Sequence, residues 1–338
     1  MSDWVTAADV ARRAGVSRSA VSRTFTRGAS VSPQTRARVL EAAKELGYRV
    51  NMLARSVIQQ QSNLVGLVVP GFASPFTPLI LDALVQALGE HGLVPLLMDS
   101  GSSSRMEESL RQLLNYRVAA AILTSGTPPL ELAREYARLQ VPVALINRQA
   151  GFEGVDEISS DNEGGGALAA RCLMRCGARR LAYVNRPTRT DVGRQRGAGF
   201  YQAIGEAGVA GVTIETIETG DAGYRGGEDA ARQLFSRPAE QRPDGVFCAT
   251  DLVAFGLVDA AREVFGLRVP LDVQVVGVDD LPMAAAGAYA LTTLRQDVSA
   301  LAREVVQRLI GRMAEPALAP RTSRIPVSLV ERHTTLSR

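Results

Sequence analysis

Few histidines are available in this sequence for acid–base catalysis. The chain has two histidines, His91 and His333. His91 precedes Gly92 at the end of a predicted helix, where a positive charge is favourable beside the last carbonyl groups. His333 lies in a polar tail. Because histidine is the most frequent catalytic acid or base, this scarcity argues against an enzyme that depends on it.

The three cysteines do not follow a disulfide pattern. Cys172 and Cys176 lie four residues apart on one face of a predicted helix, and Cys248 ends an aliphatic run. The first two would supply half of a metal site, but no second pair of Cys or His lies nearby in the sequence. We therefore expect small buried apolar side chains in a reducing compartment, with no metal site and no cofactor.

Basic side chains are concentrated near the N-terminus. Residues 1–60 contain ten Lys or Arg and four Asp or Glu, a net charge of +6, whereas the rest of the chain carries −3. A basic head on a slightly acidic body is typical of a protein that binds nucleic acid through the head alone. A solvated basic helix surface gives the same charge, so the residue spacing has to decide.

The spacing in the head predicts three short helices of the helix-turn-helix type. Ala11, Gly15 and Val21 follow the Ala-x3-Gly-x5-Val pattern, in which the glycine permits a tight turn between the first two helices. The predicted second helix runs from Arg18 to about Thr26. Capping residues set the other limits: Thr6 and Gly15 for the first helix, Ser17 for the second, and Ser32 and Gly47 for the third.

The second helix carries the side chains that would read DNA. In such heads its N-terminal residues enter the major groove, and here they are Arg18, Ser19 and Ser22, with Arg23 one turn on. An arginine bonds guanine O6 and N7 with two donors, which discriminates between bases by roughly 1–3 kcal/mol. The remaining predicted DNA contacts of the head are Thr6 and the phosphate ligands Ser17, Thr35, Arg36 and Arg38.

Short aliphatic runs alternate with amphipathic segments throughout the body. The first run is Leu64–Val69 and the last is Val273–Val278, with helical stretches such as Leu79–Leu88 and Leu252–Val264 between runs. This alternation predicts α/β architecture with two doubly wound parallel sheets, whose ligands bind at the carboxyl ends of the strands. No apolar run reaches the roughly 20 residues that cross a bilayer, and the N-terminus lacks the layout of a signal peptide. We therefore expect a cytoplasmic protein with no membrane partner.

Two ordered sets of segments resemble a known family. In the head they are Val5–Ser17, Ala20–Arg23, Val31–Arg36 and Leu46–Tyr48. In the body they include Val65–Pro70, Ser160–Asn162, Ala249–Asp251, Val276–Asp280 and Leu291–Gln296. Over nearly the whole chain they resemble the LacI/GalR family of repressors, in which a helix-turn-helix head is attached to a core built like periplasmic sugar-binding proteins.

The resemblance implies a division of the chain into three parts. Residues 1–50 would form the DNA-binding domain, 51–61 a hinge, and 62–338 the core that binds effector and forms a homodimer. Within the core it implies an N-subdomain of about 62–161 plus 291–320, and a C-subdomain of about 162–290 plus 321–338. The segment after the last predicted strand holds no leucine heptads of the kind that build tetramers, which favours a dimer.

The hinge departs from the family's pattern. The resemblance implies that a hinge helix enters the minor groove of the operator, with contacts from Asn51, Ala54, Arg55 and Val57. Val57 occupies the place of the leucine that the family inserts between base steps, and Val50 replaces a proline. A β-branched valine is a shorter wedge and a poorer helix former, so weaker kinking of the DNA is expected. A plain linker is the alternative interpretation of this segment.

The resemblance also implies which side chains face the effector. Arg196 would supply several donors to a hydroxyl pair or an anion, and Asp279 would accept two hydroxyl hydrogen bonds, as sugars require. Two structural alternatives stay open: Asp251 would cap a helix, and Arg148 would pair with Glu153 or Asp156. The full set of implied contacts is Ser74, Phe76, Thr124, Asn147, Arg148, Arg196, Thr250, Asp251, Asp279 and Gln296.

These patterns favour a transcriptional regulator, and a repressor in particular. Its partners would be palindromic double-stranded operator DNA and a small-molecule effector, either a sugar or a sugar acid. An enzyme on the same fold would need a base, a nucleophile or a cofactor loop, and the sequence offers none. A secreted sugar-binding protein would have a signal peptide. An architectural DNA-binding protein with an inert body would show no response to a ligand.

Overall fold

The structure is a computed structural model that describes residues 4–26, 28–50, 62–101, 103–124, 128–150, 154–185 and 191–336. It divides into two compact units, a head that ends at Ser62 and a core that begins at Asn63. The predicted hinge contacts Asn51, Ala54, Arg55 and Val57 lie outside the described residues.

The head consists of three helices: α1 (Ala7–Ala14), α2 (Arg18–Thr24) and α3 (Pro33–Leu46). Thr6 and Asp9 form a reciprocal capping box at the start of α1. Gly15 and Gly47 end α1 and α3 with φ angles of +63° and +67°, a conformation that glycine adopts without strain. The second helix ends two residues earlier than the spacing predicts. The apolar seam between the three helices is buried and includes Val10, Ala11, Val21 and Val39.

The core contains two six-stranded sheets, one in each of two lobes. The N-lobe sheet is wholly parallel, in the order β11-β5-β4-β3-β1-β2. Its strands are β1 (Leu64–Val69), β2 (Val94–Asp99), β3 (Ala120–Leu123), β4 (Val143–Ile146), β5 (Asp156–Ser160) and β11 (Thr322–Ile325).

The C-lobe sheet has the order β12-β10-β9-β8-β6-β7, in which β12 alone runs antiparallel to its neighbour. Its strands are β6 (Arg180–Asn185), β7 (Thr213–Glu218), β8 (Gly245–Cys248), β9 (Gln274–Val278), β10 (Thr292–Gln296) and β12 (Val327–Val330). The predicted fold class, two doubly wound parallel sheets behind a helix-turn-helix head, is confirmed.

Helices cover both faces of each sheet and bury its aliphatic side chains. On the N-lobe sheet, α4 (Phe76–Glu90) and α11 (Val298–Ala314) pack on one face, and α5 (Ser103–Asn115) and α6 (Leu130–Arg138) on the other. On the C-lobe sheet the corresponding pairs are α7 (Asn162–Arg175) with α8 (Asp191–Ala207), and α9 (Tyr224–Phe235) with α10 (Asp251–Glu263). Among the described residues, no helix has both the length and the apolar character needed to span a membrane.

The chain crosses between the lobes three times, and two of the crossings lie later than the resemblance implies. The first follows Ser160, the last residue of β5. The expected crossing at residue 290 instead follows Gln296, because β10 pairs with β9 and so belongs to the C-lobe. The crossing expected at 320 lies between β11 and β12, because β11 pairs with β5 of the N-lobe. Both differences arise because the short polar strands β10 and β11 pair with sheets other than those that the resemblance implies.

Helices α7 and α8 pack backbone against backbone. A methyl group added at Gly199 of α8 would lie 1.9 Å from the carbonyl oxygen of Glu163, and one at Gly166 of α7 would lie 2.0 Å from that of Arg196. The Gly164–Gly166 run is thus a helix start that packs closely, as its lack of a phosphate-loop spacing predicts. Only glycine fits at these two contacts.

Substitution Gly199→Ala should therefore destabilise the core. The new methyl group meets backbone that cannot rotate away, so we expect a loss of about 1–3 kcal/mol in the free energy of unfolding. Gly205→Ala is the matched control on the same helix, because no atom lies within 4 Å of the added methyl, and it should stabilise by about 0.5–1 kcal/mol. Urea denaturation of both variants measures the difference, and equal stabilities would contradict the close contact.

Candidate functional site

One face of α2 presents hydroxyl and guanidinium groups to solvent. Ser17, Arg18, Ser19, Ser22 and Arg23 are all exposed. The Ser17 hydroxyl caps α2 by accepting from the amide of Ala20 at 3.2 Å, and the Nε of Arg23 donates to the carbonyl of Ser19 at 3.3 Å. The structure therefore brings the five predicted contacts of this helix together on an accessible surface with hydrogen-bond donors.

Arg36 and Arg38 have partners within the head that spacing alone does not reveal. Arg36 donates to the carbonyl of Thr24 at 2.8 Å, and Arg38 donates to the carbonyls of Ala14 and Gly15. These bonds attach α3 to the end of α2 and to the turn, which gives both arginines a structural role. Their role as phosphate ligands stays a prediction.

The two threonines predicted to contact DNA lie at helix starts. Thr6 is exposed, and its backbone and hydroxyl both donate to a carboxylate oxygen of Asp9. Thr35 is half-buried in the first turn of α3, where its hydroxyl oxygen accepts from Ser32 at 2.8 Å. Helix N-termini are favourable positions for phosphate groups, so both placements are compatible with the prediction.

An open cleft between the lobes of the core contains nine of the ten predicted effector contacts. It holds about 820 Å³ of empty space, including its mouth. Seven further lining residues were not among the predicted contacts: Pro70, Thr77, Ile80, Ile146, Val192, Gly193 and Ala249. The predicted residues that line it are Ser74, Phe76, Thr124, Asn147, Arg148, Arg196, Thr250, Asp279 and Gln296.

The strands explain why these residues meet. Thr124, Asn147, Thr250 and Asp279 follow the carboxyl ends of β3, β4, β8 and β9, and Gln296 is the last residue of β10. In parallel sheets these ends lie along one edge, where loops form the ligand site. The two sheets direct these edges toward the same cleft, so residues far apart in sequence become neighbours.

Arg196 is the buried cation of the cleft. Its side chain extends from α8 and the residue is 5% exposed. Its Nε donates to Oδ1 of Asn162 at 3.0 Å, and its Nη1 donates to the carbonyl of Ala249 at 2.6 Å. Hydrogen bonds to α7 and to the end of β8 therefore fix the plane of the guanidinium.

Asp279 and Gln296 form a hydrogen-bonded pair at the ends of β9 and β10. The amide nitrogen of Gln296 donates to Oδ1 of Asp279 at 2.6 Å, and the amide oxygen accepts from the hydroxyl of Ser160 at 2.6 Å. Asp279 has a φ angle of +120°, which is rare outside glycine. Such strain is found where the surrounding structure holds a side chain in one direction.

Asp251, expected in the cleft, lies instead in the interior and is 0% exposed. Its carboxylate accepts from the amide of Leu281 at 2.8 Å and from the hydroxyl of Thr293 at 2.6 Å. Thr250 is the residue that caps α10. Burial, together with the charge of nearby Asp279, raises the pKa of Asp251 to about 7. Asp251 thus attaches the loop after β9 to β10, and it is not positioned to contact an effector.

Asn147 and Arg148 follow β4 in a turn. Asn147 adopts φ +55°, and its Oδ1 accepts from the amide of Ser160 at 2.9 Å. Arg148 donates to the carbonyl of Asn147 at 3.1 Å and lines the cleft. Asp156, an alternative partner for Arg148, bonds to Arg312 at 2.9 Å instead, whereas Glu153 lies outside the described residues.

The cleft combines apolar surface with hydroxyl, amide and charged groups. Phe76, Ile80 and Ile146 supply the apolar part, and Asp279 and the two arginines supply charge. A few convergent polar groups on an apolar wall are typical of a site for a small polar molecule. Among the residues that the structure describes, no three His, Cys, Asp or Glu side chains are grouped as metal ligands. Burial raises the pKa of Cys172 to about 11, so its thiol stays protonated near neutral pH.

Two family models match the chain in the order that the fold shows. The model for bacterial regulatory proteins of the lacI family matches residues 6–51. The model for a periplasmic binding protein-like domain matches residues 170–335. The first match covers the head with its exposed α2 surface, and the second covers most of the C-lobe and its cleft residues.

Named relatives align over nearly the full chain. The ribose operon repressor of Escherichia coli (strain K12) is 32% identical over 329 residues, which cover 96% of this chain and 98% of the repressor. The transcriptional repressor PurR of Edwardsiella ictaluri is 30% identical over 333 residues, with 96% and 95% covered.

Solved structures of other proteins share this fold. The lac repressor dimer bound to operator and the anti-inducer ONPF has a TM-score of 0.86 and 27% identity, with 99% of this chain and all of that chain covered. The complex of the regulator CelR with cellobiose has a TM-score of 0.72 and 30% identity, with 98% and 99% covered. A family regulator from Enterococcus faecalis V583 with bound ribose has a TM-score of 0.70 and 25% identity, with 80% and 98% covered. The chain belongs to the lacI family of bacterial regulatory proteins.

Proposed function

We propose that this protein is a sequence-specific transcriptional repressor, which binds a near-palindromic operator as a homodimer. A small polar effector, a sugar or a sugar acid, binds in the cleft and changes the affinity for DNA. One observation carries the proposal: the same chain has an exposed polar recognition helix and a cleft lined by nine of the ten expected effector contacts. A DNA reader and a small-molecule site on one chain are the two parts of a ligand-controlled repressor.

The head supports DNA binding through charge and geometry. The net charge of +6 in residues 1–60 attracts the phosphate backbone at long range. The exposed Arg18 and Arg23 on α2 supply the bidentate donors that distinguish guanine from other bases. The lac repressor structure shows a dimer on operator DNA, and two heads on one dimer would contact two half-sites of a palindrome.

The cleft supports binding of a hydroxylated effector. Asp279 accepts hydrogen bonds from hydroxyl groups, while Arg148 and Arg196 donate to hydroxyl or carboxylate oxygens. Phe76 provides an apolar surface for the carbon face of a ring. Relatives with ribose or cellobiose bound have the same core fold, so D-ribose heads the panel of compounds to be tested.

Movement of the two lobes would couple the effector cleft to the DNA-binding head. A ligand shifts the protein between two states only by as much as its affinities for them differ. An effector that contacts both lobes satisfies this condition, because its contacts change when the lobes move. We assign binding and not turnover to the cleft, since the relatives are repressors, and we place the protein in the cytoplasm, where its DNA target lies.

The direct test is selection of bound sequences from random duplex DNA at physiological salt. Recovery of a palindromic sequence supports the proposal and supplies a probe. Thermal shift and calorimetry then screen a panel of neutral sugars, sugar acids and sugar phosphates, headed by D-ribose. Binding that is salt-sensitive but independent of sequence, both with and without the panel, would contradict the proposed operator recognition.

Arg18→Ala should weaken binding to the selected operator about 5- to 150-fold, because a bidentate guanine contact contributes roughly 1–3 kcal/mol. The loss should fall on one base-pair position in each half-site, as measured by binding to a set of single-substitution operators. Arg13→Ala is the matched control, because it removes the same charge from a side chain that pairs with Glu45 on the head. That control should weaken all sequences equally. Equal profiles for the two variants would exclude base reading by Arg18.

Asp279→Ala should reduce effector affinity at least about tenfold, because a hydrogen bond to a charged group contributes about 1.5–3 kcal/mol. Calorimetry with the best panel compound measures this change. Asp229→Ala is the control, because Asp229 is an exposed carboxylate that pairs with Arg232 on α9 of the same lobe. An unchanged dissociation constant in Asp279→Ala would remove this carboxylate from the effector site.

A further inference from the structure

The first crossing between the lobes contains two buried polar residues that do not line the cleft. Ser160 is the last residue of β5 in the N-lobe, and Asn162 is the first residue of α7 in the C-lobe. They are 2% and 4% exposed. A buried polar side chain needs hydrogen-bond partners, and three partners of these two residues, Asn147, Gln296 and Arg196, line the cleft.

Ser160 holds two cleft side chains. Its backbone amide donates to Oδ1 of Asn147 at 2.9 Å, and its hydroxyl donates to the amide oxygen of Gln296 at 2.6 Å. Asn147 belongs to the N-lobe, whereas Gln296 ends the strand that precedes the second crossing. The single residue Ser160 therefore connects polar groups on both lobes.

Two hydrogen bonds fix which way the Gln296 amide points: Oδ1 of Asp279 only accepts and so faces the nitrogen, and the Ser160 hydroxyl donates to the oxygen. A carboxamide has an acceptor end and a donor end. The nitrogen donates to Oδ1 of Asp279 at 2.6 Å, and the oxygen on the opposite side accepts from the hydroxyl of Ser160 at 2.6 Å. A chain of hydrogen bonds through Ser160, Gln296 and Asp279 thus runs from the first crossing to the carboxylate of the cleft.

Asn162 does the same for Arg196. Its Oδ1 accepts from the guanidinium Nε at 3.0 Å. Its own orientation is fixed because its nitrogen donates to the carbonyl of Ser160 at 3.1 Å and to Oε1 of Gln195 at 3.2 Å. The side chain of Asn162 therefore connects the backbone of the crossing to the buried cation of the cleft.

We infer that Ser160 and Asn162 are positioning residues, which orient the cleft side chains and make that orientation depend on the conformation of the first crossing between the lobes. This inference rests on the proposed function for its effect on effector affinity. Rotation at the crossing moves both residues, and their partners must then turn or lose a hydrogen bond. The first crossing thereby links effector affinity to the orientation of the lobes.

Three variants test the inference: Asn162→Leu removes the acceptor for Arg196, Asn162→Asp retains it, and Ser160→Ala removes the donor to Gln296. The first readout needs no effector, since it is the exchange with water of the Arg196 Nε–H and of the Gln296 side-chain amide, followed by NMR. Asn162→Leu should accelerate exchange at Arg196 at least about tenfold, whereas Asn162→Asp should retain the protection. Ser160→Ala should accelerate exchange at Gln296 and leave Arg196 unchanged.

The second readout is calorimetric affinity for the best panel compound, with D-ribose tested first. Asn162→Leu and Ser160→Ala should each weaken binding about tenfold, and Asn162→Asp should stay within about threefold of the wild type. Thr334→Val is the control, because buried Thr334 donates to the carbonyl of Val275 in the C-lobe, remote from the cleft. This control should lower the melting temperature without changing either readout.

Unchanged exchange at Arg196 in Asn162→Leu, or at Gln296 in Ser160→Ala, would overturn the inference. If Asn162→Leu does not fold, exchange of the Gln296 side-chain amide in Ser160→Ala tests the inference instead. Exchange that changes as expected, in a protein whose wild type binds no compound of the panel, contradicts the proposed effector but supports the positioning role. Affinities that follow the melting temperature in all variants, the control included, would make both residues merely structural and overturn the inference.

Discussion

The core depends on how it accommodates the guanidinium of Arg196. A buried charge costs several kcal/mol unless hydrogen bonds replace its hydration. Two of these hydrogen bonds go to the side-chain oxygen of Asn162 at the start of α7 and to the carbonyl of Ala249 after β8. Both bonds require α7, α8 and β8 to keep their relative positions. The close glycine contact at Gly166 satisfies the same requirement, because it lets α7 lie directly against the backbone carbonyl of Arg196.

The sequence predicts the head well because its signals are local. Caps and turns such as Thr6 and Gly15 act within four residues, and the structure places them as the spacing indicates. The hydrogen-bond partners of side chains are not predictable from such local signals. Arg36 and Arg38 bond to carbonyls 12 and 23 residues away, so their apparent availability for phosphate could not be judged before the helices were assembled.

The core shows the same limit on a larger scale. The aliphatic strands were predictable, because buried parallel strands are almost continuously apolar. The nine cleft residues were implied by the resemblance to the family, and the carboxyl ends of strands account for five of them. Strand β5 and the short strands after residue 290 contain Asp, Ser, Thr and Arg, which resemble loop composition. Asp251 comes one residue after Thr250, past the end of β8, yet the amide of Leu281 and the hydroxyl of Thr293 hold it in the interior. Contacts distant in sequence decide each of these cases.

The crossings between the lobes explain how so rigid a core would respond to the proposed effector. Each lobe is a close-packed sandwich of helices on a sheet, and such interiors resist gradual deformation. A proposed movement of the lobes would therefore occur at the three crossings. The first contains Ser160 and Asn162, and the second begins at Gln296, so two of the three carry hydrogen bonds to cleft side chains. A ligand that changes those bonds would act on the crossings directly. It would alter the angle between the lobes without rearranging either hydrophobic core.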